Sequence, residues 1–269
     1  IIKIITMKLI HSILNRVMTL KYLTSIRVIS VISLIPVHTA CNEFLDVDQP
    51  NTIIASETVY ESDATALAAM NGVYSTMMNL TTSFMNVQVS QVAGLSADEF
   101  INYATTNTNE VYDVSLTPVN ASITTLWRDT YQYIYMANAI LEGVDASTAL
   151  SSGVRDQLKG EAKFLRAFAH FYLLNLYGDI PYITSTDYQV NNRVARQPIT
   201  EVYQYIIEDL LAAQALLGPD YYTTERIRPN KFAATAMLAR TYLYAGLYDK
   251  AEEQATAVIS NTSAYSLLA

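Results

Sequence analysis

The segment GEAKFLRAFAHFYLLNLYGDIPY, residues 160–182, has the clearest helical pattern in the chain. Starting just before it, apolar side chains recur at steps of four and three residues, at Leu158, Ala162, Leu165, Ala169, Tyr172 and Leu176. This spacing places them on one face of an α-helix. Gly178 and Pro181 then interrupt the pattern, and both residue types disfavour a continued helix. The segment therefore predicts a long helix with one face buried in a core.

A second face of the same helix is basic and consists of Lys159, Lys163, Arg166 and His170. His170 is the one histidine of three that follows Cys41. A lone histidine on such a strip lacks the partners of a catalytic or metal site. We therefore expect His170 to lie at the surface or to pack against its neighbours.

Helices of the same kind are predicted before and after this segment. The first spans about Ser62 to Asn79, and Ser62 suits its N-terminal end. The next contains Trp127, which we assign to packing because it shares a helical face with apolar neighbours, and ends at Gly143. Tyr172 and Tyr242 are assigned to packing for the same reason.

Three more helix boundaries are predicted towards the C-terminus. Thr200 is the expected N-cap of a helix that ends at Gly218. Pro229 is expected to open the following helix, and Gly246 to close it. Asp249 then has the side chain to cap the last one.

The composition favours the same fold class. The chain has 269 residues, of which 51% are hydrophobic and 16% charged, with 8 Gly and 7 Pro to interrupt helices. The stretch ARTYLYAGLYDKAEEQATAVI, residues 239–259, resembles a tetratricopeptide repeat. We therefore predict an all-α fold of tetratricopeptide-like antiparallel helix pairs with one long irregular loop.

An export signal is predicted before Cys41. Lys21 and Arg27 precede the apolar run Val28 to Val37, which fits a secretory signal and is shorter than the ~20 apolar residues that cross a bilayer. Small residues stand at positions 39 and 40, directly before Cys41. This arrangement resembles the lipobox of bacterial lipoproteins, where the cysteine thiol is acylated.

The chain then divides into three parts. Residues 1–40 are expected to be a signal peptide together with upstream residues that are not native, and Met7 and Met18 are the two predicted translation starts. Residues 41–61 are the acylated cysteine and a solvated tether, and residues 62–269 are a helical domain. The alternative is an ordinary signal peptide that leaves behind a free thiol.

The charge of the mature chain excludes some partners. Five of the 17 basic residues precede Cys41 and would leave with the signal, so 12 basic and 25 acidic residues remain, a net charge of −13. Such a chain repels phosphate backbones and anionic lipid surfaces, so no nucleic acid is expected. A single cysteine and a single mature histidine also leave few groups for a metal or another cofactor, and none is expected.

The predicted loop runs from Thr81 to Thr125, where helical periodicity fades and Asn, Thr and Ser are frequent. Long irregular segments inside compact domains are often functional. Tyrosine rings can lie against sugar rings, and amides can bond their hydroxyls. The candidate ligand-binding residues are therefore Asn102, Tyr103, Asn107, Asn109 and Tyr112, with Tyr221 and Tyr222 as a second, weaker pair. The alternative is a polar surface loop without a ligand.

Four stretches resemble the SusD/RagB family of outer-membrane nutrient-binding lipoproteins. They are LWRDTYQYIYMANAIL (126–141), GEAKFLRAFAHFYLLNLYGDIPY (160–182), EVYQYIIEDLLAAQALL (201–217) and RPNKFAATAMLARTYLYAGLYDKA (228–251). The second and fourth are specific, because helix propensity alone would not require Gly-Glu-Ala, Tyr-Gly-Asp-Ile-Pro or Arg-Pro-x-Lys at helix ends.

The resemblance implies a non-catalytic protein, lipid-anchored and surface-exposed on the cell outer membrane. Such proteins bind oligosaccharides or peptides and close over a TonB-dependent transporter. Family members are longer, so residues 62–269 are expected to be the SusD-like N-terminal helical domain, without the family's C-terminal region.

The sequence leaves two alternative functions, a carboxylate-based glycosidase and a protein-binding repeat scaffold. A glycosidase needs two carboxylates that face each other across a substrate, and adjacent Asp98 and Glu99 do not converge in that way on a helix or a strand. A protein-binding repeat scaffold is compatible with helix pairs alone, but the lipobox and the Asn-rich loop favour ligand capture.

Overall fold

A computed structural model describes residues 58–78, 88–103 and 108–266, together with the separate positions 14, 16 and 18. The chain divides into two compact units, Ile1–Ile53 and Ile54–Ala269. In the first unit the three described positions are helical and exposed. Cys41, the cleavage site before it and Asn107 lie outside the described residues, so what we infer about them stays a prediction.

The described part of the second unit is built from helices. They are α1 (Asp63–Met77), α2 (Val89–Ser96), α3 (Thr108–Tyr112), α4 (Ala121–Ala146), α5 (Ser152–Tyr177), α6 (Tyr188–Asn191), α7 (Ile199–Leu216), α8 (Lys231–Tyr244) and α9 (Tyr248–Ile259). Among all the residues that the structure describes, β pairing is limited to one bridge, between Ile180 and Gln197. The predicted all-α class is confirmed. None of the helices described is long and apolar enough to cross a membrane.

Several helices have a Ser or Asn residue as their N-cap, and its side chain accepts backbone N–H groups of the first turn. The Ser62 hydroxyl accepts the N–H of Thr65 at the start of α1, as predicted. The Asn120 side chain caps α4 by accepting two N–H groups, and Asn230 accepts the N–H of Ala233 in α8. These N–H groups have no partner within the helix itself, so the caps determine where each helix begins.

Some predicted helix starts are wrong by one or two residues. Helix α7 begins at Ile199 rather than after Thr200, because the Asp179 carboxylate accepts the Ile199 N–H from outside the helix. Helix α8 is capped by Asn230, so Pro229 precedes the helix instead of opening it. Asp249 lies inside the first turn of α9 and makes no cap, although its charge still suits the helix dipole there.

Helix α4 does not end at Gly143 as predicted but continues to Ala146. The ring of Tyr60 lies against Gly143 so closely that a Cβ at this position would overlap it. The Tyr60 hydroxyl also donates to the Ala139 carbonyl, and Ser147 Oγ donates to the Tyr60 carbonyl. Gly143 is therefore required for close approach, and residues predicted as the end of a solvated tether are folded against α4.

Helices α4, α5, α7, α8 and α9 pack one against the next in chain order. Short connections make α4 antiparallel to α5 and α8 antiparallel to α9. Helices α5 and α7 are also antiparallel, because Gly160 near the start of α5 lies against Leu217 after the end of α7, and Asn175 near the end of α5 accepts a hydrogen bond from Tyr203 near the start of α7. The main core lies around α5, α7 and α8, and includes Leu173, Ile206, Leu210 and Leu238. A second core joins α1 to α4 and α5. Leu176, predicted on the buried face, is 40% exposed because it lies in the last turn of α5.

The segment predicted as a long irregular loop is partly helical. Residues 88–103 and 108–125 contain α2, α3 and the first turns of α4. A small core of Val92, Leu95 and Val111 holds α2 and α3 together. These helices are short, so their apolar residues do not repeat often enough to reveal a period in the sequence.

Two residues of the predicted basic strip of α5, Arg166 and His170, are buried in a polar network. Arg166 donates to the Asp209 carboxylate of α7 through Nε and Nη2, both at 2.7 Å, and to Asn138 Oδ1 of α4 at 2.8 Å. The Tyr182 hydroxyl donates to Asp209 at 2.6 Å. These bonds link α4, α5 and α7, and the guanidinium and Tyr182 together satisfy the buried carboxylate.

His170 is fully buried in this network, so the packing interpretation is confirmed and the surface one is wrong. Its Nδ1 lies 2.9 Å from the Arg166 carbonyl, and its Nε2 accepts the N–H of Ile183 at 3.2 Å. The ring stacks on Tyr182 with centroids 4.0 Å apart. Burial lowers the pKa of His170 to about 3, so the ring is neutral and has a structural role.

Candidate functional site

The first candidate surface is formed by the loop residues between α2 and α3. Asn102 donates a side-chain hydrogen bond to Asn109, so the structure brings these two predicted residues together. Tyr103, next to Asn102, has 89% of its surface exposed. Tyr112 instead packs, half-buried, against the small core of Val92, Leu95 and Val111. The described part of this surface thus presents the exposed Tyr103 ring beside two paired amides.

Contacts on both sides hold this surface in place. The Phe100 ring lies against Gly94 of α2, where a Cβ would overlap it. On the other side the Asn120 amide donates to Glu110 of α3 at 2.7 Å while its carbonyl oxygen caps α4. The exposed residues therefore lie between fixed points, which lowers the conformational entropy that a ligand would have to remove.

The second candidate surface is a groove of about 390 Å³ beside Tyr221. Its aromatic and cationic lining consists of Tyr74, Phe164, Phe168, Tyr221, Arg226 and Arg228. The Tyr221 hydroxyl donates to that of Tyr265 at 3.2 Å. Tyr222 stands outside the lining, with Arg228 4.7 Å above its ring centroid. The structure therefore places the two predicted tyrosines next to a groove that the sequence alone did not reveal.

We refer to this groove as the Tyr221 groove. A buried ion pair fixes one of its lining residues, Arg228, in position. Arg228 donates to Glu161 Oε2 through Nε at 3.0 Å and Nη2 at 2.9 Å. The Tyr74 hydroxyl donates to the same oxygen at 2.8 Å. Burial raises the pKa of Glu161, whereas Arg228 acts to lower it. The pair explains why Gly-Glu-Ala and Arg-Pro-x-Lys stood out in the sequence, because it joins the two motifs across the fold.

Two other cavities contain none of the predicted site residues. One of about 680 Å³ lies between α1 and α4 and is mainly apolar, with Tyr60, Val73 and Ile140 in its lining. The other, of about 410 Å³, is polar and lies over Arg166 and Asp209. Gly143 lines the first cavity, although in the sequence it predicts only a helix end.

The carboxylates considered for catalysis lie in an exposed turn. Asp98 and Glu99 follow α2, and Asp98 has a positive φ of 57°. The Glu99 N–H donates to the Gly94 carbonyl, which closes the turn. Within the described ranges no three His, Cys, Asp or Glu side chains come together as possible metal ligands.

Antiparallel helix pairs stacked in chain order, with an open aromatic groove against them, define a tetratricopeptide-like helical protein. The sequence profile of the SusD-like family, described as "Starch-binding associating with outer membrane", matches residues 43–243. The chain belongs to this family. The expectation drawn from its four sequence stretches is confirmed.

Named relatives support the assignment. SusD-like protein P25 of Formosa agariphila is 31% identical over 215 residues, which cover 76% of this chain and 40% of that protein. Starch-binding protein SusD of Bacteroides thetaiotaomicron is 32% identical over 133 residues, covering 46% of this chain and 22% of that protein. A solved structure described as a laminarin-binding SusD-like protein has a TM-score of 0.69 at 23% identity.

The matched region is a fraction of each relative. The laminarin-binding structure is matched over 78% of this chain and 47% of its own length. The chain spans about two fifths of the length of SusD-like protein P25. At 23% identity the structural likeness establishes the shared fold.

Proposed function

We propose that the chain acts in a surface-exposed outer-membrane lipoprotein that binds glycans, or peptides, and delivers them to a TonB-dependent transporter. The match of the SusD-like family across residues 43–243 is the observation that most supports this function. Relatives described as starch-binding and laminarin-binding point to carbohydrate as the first ligand class to test. Binding and delivery require no catalytic group, in keeping with a protein that is not an enzyme.

The loop surface is proposed as the main glycan contact. The exposed Tyr103 ring offers a face for a sugar ring, and Asn102 and Asn109 have amide groups of the kind that bond sugar hydroxyls. Asn107, in the same segment, is proposed to contribute a further amide, and Tyr112 to support the surface from below. Tyr221 and Tyr222 would form a second contact at the Tyr221 groove.

Calorimetric titration with starch-derived and laminarin-derived oligosaccharides, and with a peptide mixture, tests the binding function. We expect Tyr103→Ala to weaken binding of an oligosaccharide about tenfold, the effect of losing one well-placed aromatic contact. Tyr248→Ala is the matched control, because Tyr248 is also exposed but lies on α9, outside both surfaces. If no oligosaccharide or peptide binds to the protein, the binding function is wrong; equal effects of the two variants would instead remove the loop surface.

The membrane anchor is proposed to be Cys41, since it is the single cysteine and follows small residues. Cys41→Ala in the native host should move the protein from the membrane fraction to the soluble fraction, because acyl chains supply the binding energy for the membrane. Fatty-acid labelling of the wild type is the parallel measurement. A variant that stays in the membrane fraction, with no label on the wild type, would contradict the anchor.

A further inference from the structure

We infer that the Tyr221 groove binds acidic sugar units, namely the uronate residues of a glycan, through the guanidinium of Arg226. The inference rests on the proposed glycan-binding function and names the class of glycan that this second surface accepts. Three features of the groove carry it: its aromatic walls, the unneutralised charge of Arg226, and the backbone that holds this residue.

The walls of the groove suit a sugar ring. Phe164 and Phe168 of α5 are stacked with ring centroids 5.9 Å apart, and Tyr221 stands in the lining with them. Aromatic rings of this kind bury the apolar C–H face of a pyranose. A volume of about 390 Å³ lies within the range of small-ligand sites, roughly 300 to 1,000 Å³.

The two arginines of the groove differ in charge compensation. Arg228 is buried and bonded to Glu161 by two of its nitrogens, so its charge is neutralised. Arg226 is exposed, and its guanidinium lies 5.2 Å from the Tyr221 ring centroid. Its Nη1 donates a hydrogen bond to the neutral Ala264 carbonyl at 3.5 Å, and among the described residues no carboxylate forms an ion pair with it.

The acidic residues nearest to Arg226 in sequence do not occupy the groove. Asp220 and Glu225 are both exposed, and neither belongs to the groove lining, whereas Arg226 does. The lining therefore contains one neutralised guanidinium and one that is available to an anion. Because the planar guanidinium matches a carboxylate with two parallel hydrogen bonds, a uronate fits this position better than a neutral sugar does.

The backbone of Arg226 is in the left-handed region, with φ at 55°. A long side chain rarely adopts this conformation, and it costs about 1 kcal/mol or more. The following residues Ile227, Arg228 and Pro229 all line the groove. The strained residue is thus placed by a segment that is itself fixed through Arg228 and Glu161, in agreement with a positioned ligand contact.

The mature chain is acidic overall, so attraction of an acidic sugar has to come from individual cations such as Arg226. The residues after Cys41 carry a net charge of −13, so the general field of the protein repels an anionic glycan. Any preference for a charged sugar must then come from particular cations. Replacing an arginine elsewhere should change the field equally but leave the preference in place.

Calorimetric titration with oligogalacturonate and with the same oligomer after methyl esterification tests the inference, because the pair shares ring and linkage and differs in charge. We expect the charged oligomer to bind at least about tenfold more tightly, the change that one charge-assisted hydrogen bond produces. Arg226→Gln should abolish this difference, and Arg226→Lys should retain part of it. Arg193→Gln is the matched control, since Arg193 is exposed and lies outside the groove lining.

Melting curves on each variant establish that the proteins being compared are folded. Equal affinity for the two oligomers, or equal losses in Arg226→Gln and Arg193→Gln, would overturn the acidic-sugar inference while leaving capture of neutral glycans intact. Failure of starch-derived, laminarin-derived and uronate oligomers alike would instead remove the proposed glycan-binding function, and the inference with it.

Discussion

The polar residues around α5 and those of the loop between α2 and α3 have different roles in the protein. Around α5, Arg166, Asp209 and His170 are buried and bonded to one another or to nearby groups. In the loop, Tyr103 is exposed, and its neighbour Asn102 forms a side-chain bond to Asn109. In both regions the tertiary contacts of a polar side chain determine whether it stabilises the fold or remains available to a ligand.

The largest loss of stability is expected when Asp209 is replaced. Asp209→Ala would leave the buried Arg166 guanidinium without its carboxylate, and breaking a buried pair in this way costs about 3 to 5 kcal/mol. Denaturant unfolding measures the loss. Glu208→Ala is the control, because the neighbouring Glu208 is exposed and should change stability by less than about 0.5 kcal/mol. Similar losses in both variants would show that the buried pair is not what stabilises this region.

A second effect should appear as a dependence on pH. The pKa of His170 is about 3 in the folded protein, against an ordinary value of 6.5. The unfolded chain therefore binds more protons between these values, and stability falls as the pH drops below about 6.5.

Between pH 7 and pH 5 the expected loss from His170 is about 2 kcal/mol. Denaturant unfolding at the two pH values measures it. His170→Gln should lower the stability at pH 7 but remove this part of the pH dependence. An unchanged slope in the variant would assign the dependence to other groups.

Tyr112 is an intermediate case, because it lies in α3, within the segment predicted as a loop, and makes a packing contact. Its ring is half-buried against the small core of α2 and α3. Tyr112→Ala should therefore cost about 1 to 2 kcal/mol, less than the 3 to 5 kcal/mol of a fully buried aromatic. Melting curves of the two variants measure the effect. Tyr112→Phe keeps the ring and should retain most of the stability that Tyr112→Ala loses. If Tyr112→Ala melts like the wild type, the ring makes no contribution to packing.

The smallest effect on stability is expected at Tyr103. Its side chain is almost fully exposed, so Tyr103→Ala should change the free energy of unfolding by less than about 0.5 kcal/mol. Oligosaccharide affinity should fall in the same variant. A large loss of stability would mean that Tyr103 belongs with the buried group, and the contrast between the two regions would fail there.

Local sequence signals predicted most of the fold. Ser62 and the apolar period of α5 act within one or two helical turns, so spacing and capping preferences sufficed to place those helices. The errors at Thr200 and Gly143 have a different source. Asp179 lies 20 residues before the helix start it helps to define, and Tyr60 is far in sequence from the glycine that it covers. Contacts between residues so far apart in sequence produce no periodic pattern from which they could be predicted.

The candidate site was less predictable than the fold. The sequence drew attention to Tyr103 and Tyr221 through residue type and position, and the structure places both at accessible surfaces or grooves. It did not reveal that Arg226 and Arg228 differ in charge compensation, because Glu161 is 67 residues from Arg228. Nor did it separate Tyr112 from Tyr103, since the small core beneath Tyr112 is built from helices too short to show a period.

The contact between Tyr60 and Gly143 also has a mechanical consequence. The Tyr60 hydroxyl is bonded to Ala139 of α4 and its carbonyl to Ser147, directly after α4, and Tyr60 lies just before α1 in the chain. A force that reaches Tyr60 from the N-terminal side of the chain would act on these bonds before it could unwind α1. The 26-residue helix α4, packed along α5, would bear that force, so α1 would be sheltered from traction on the N-terminal chain.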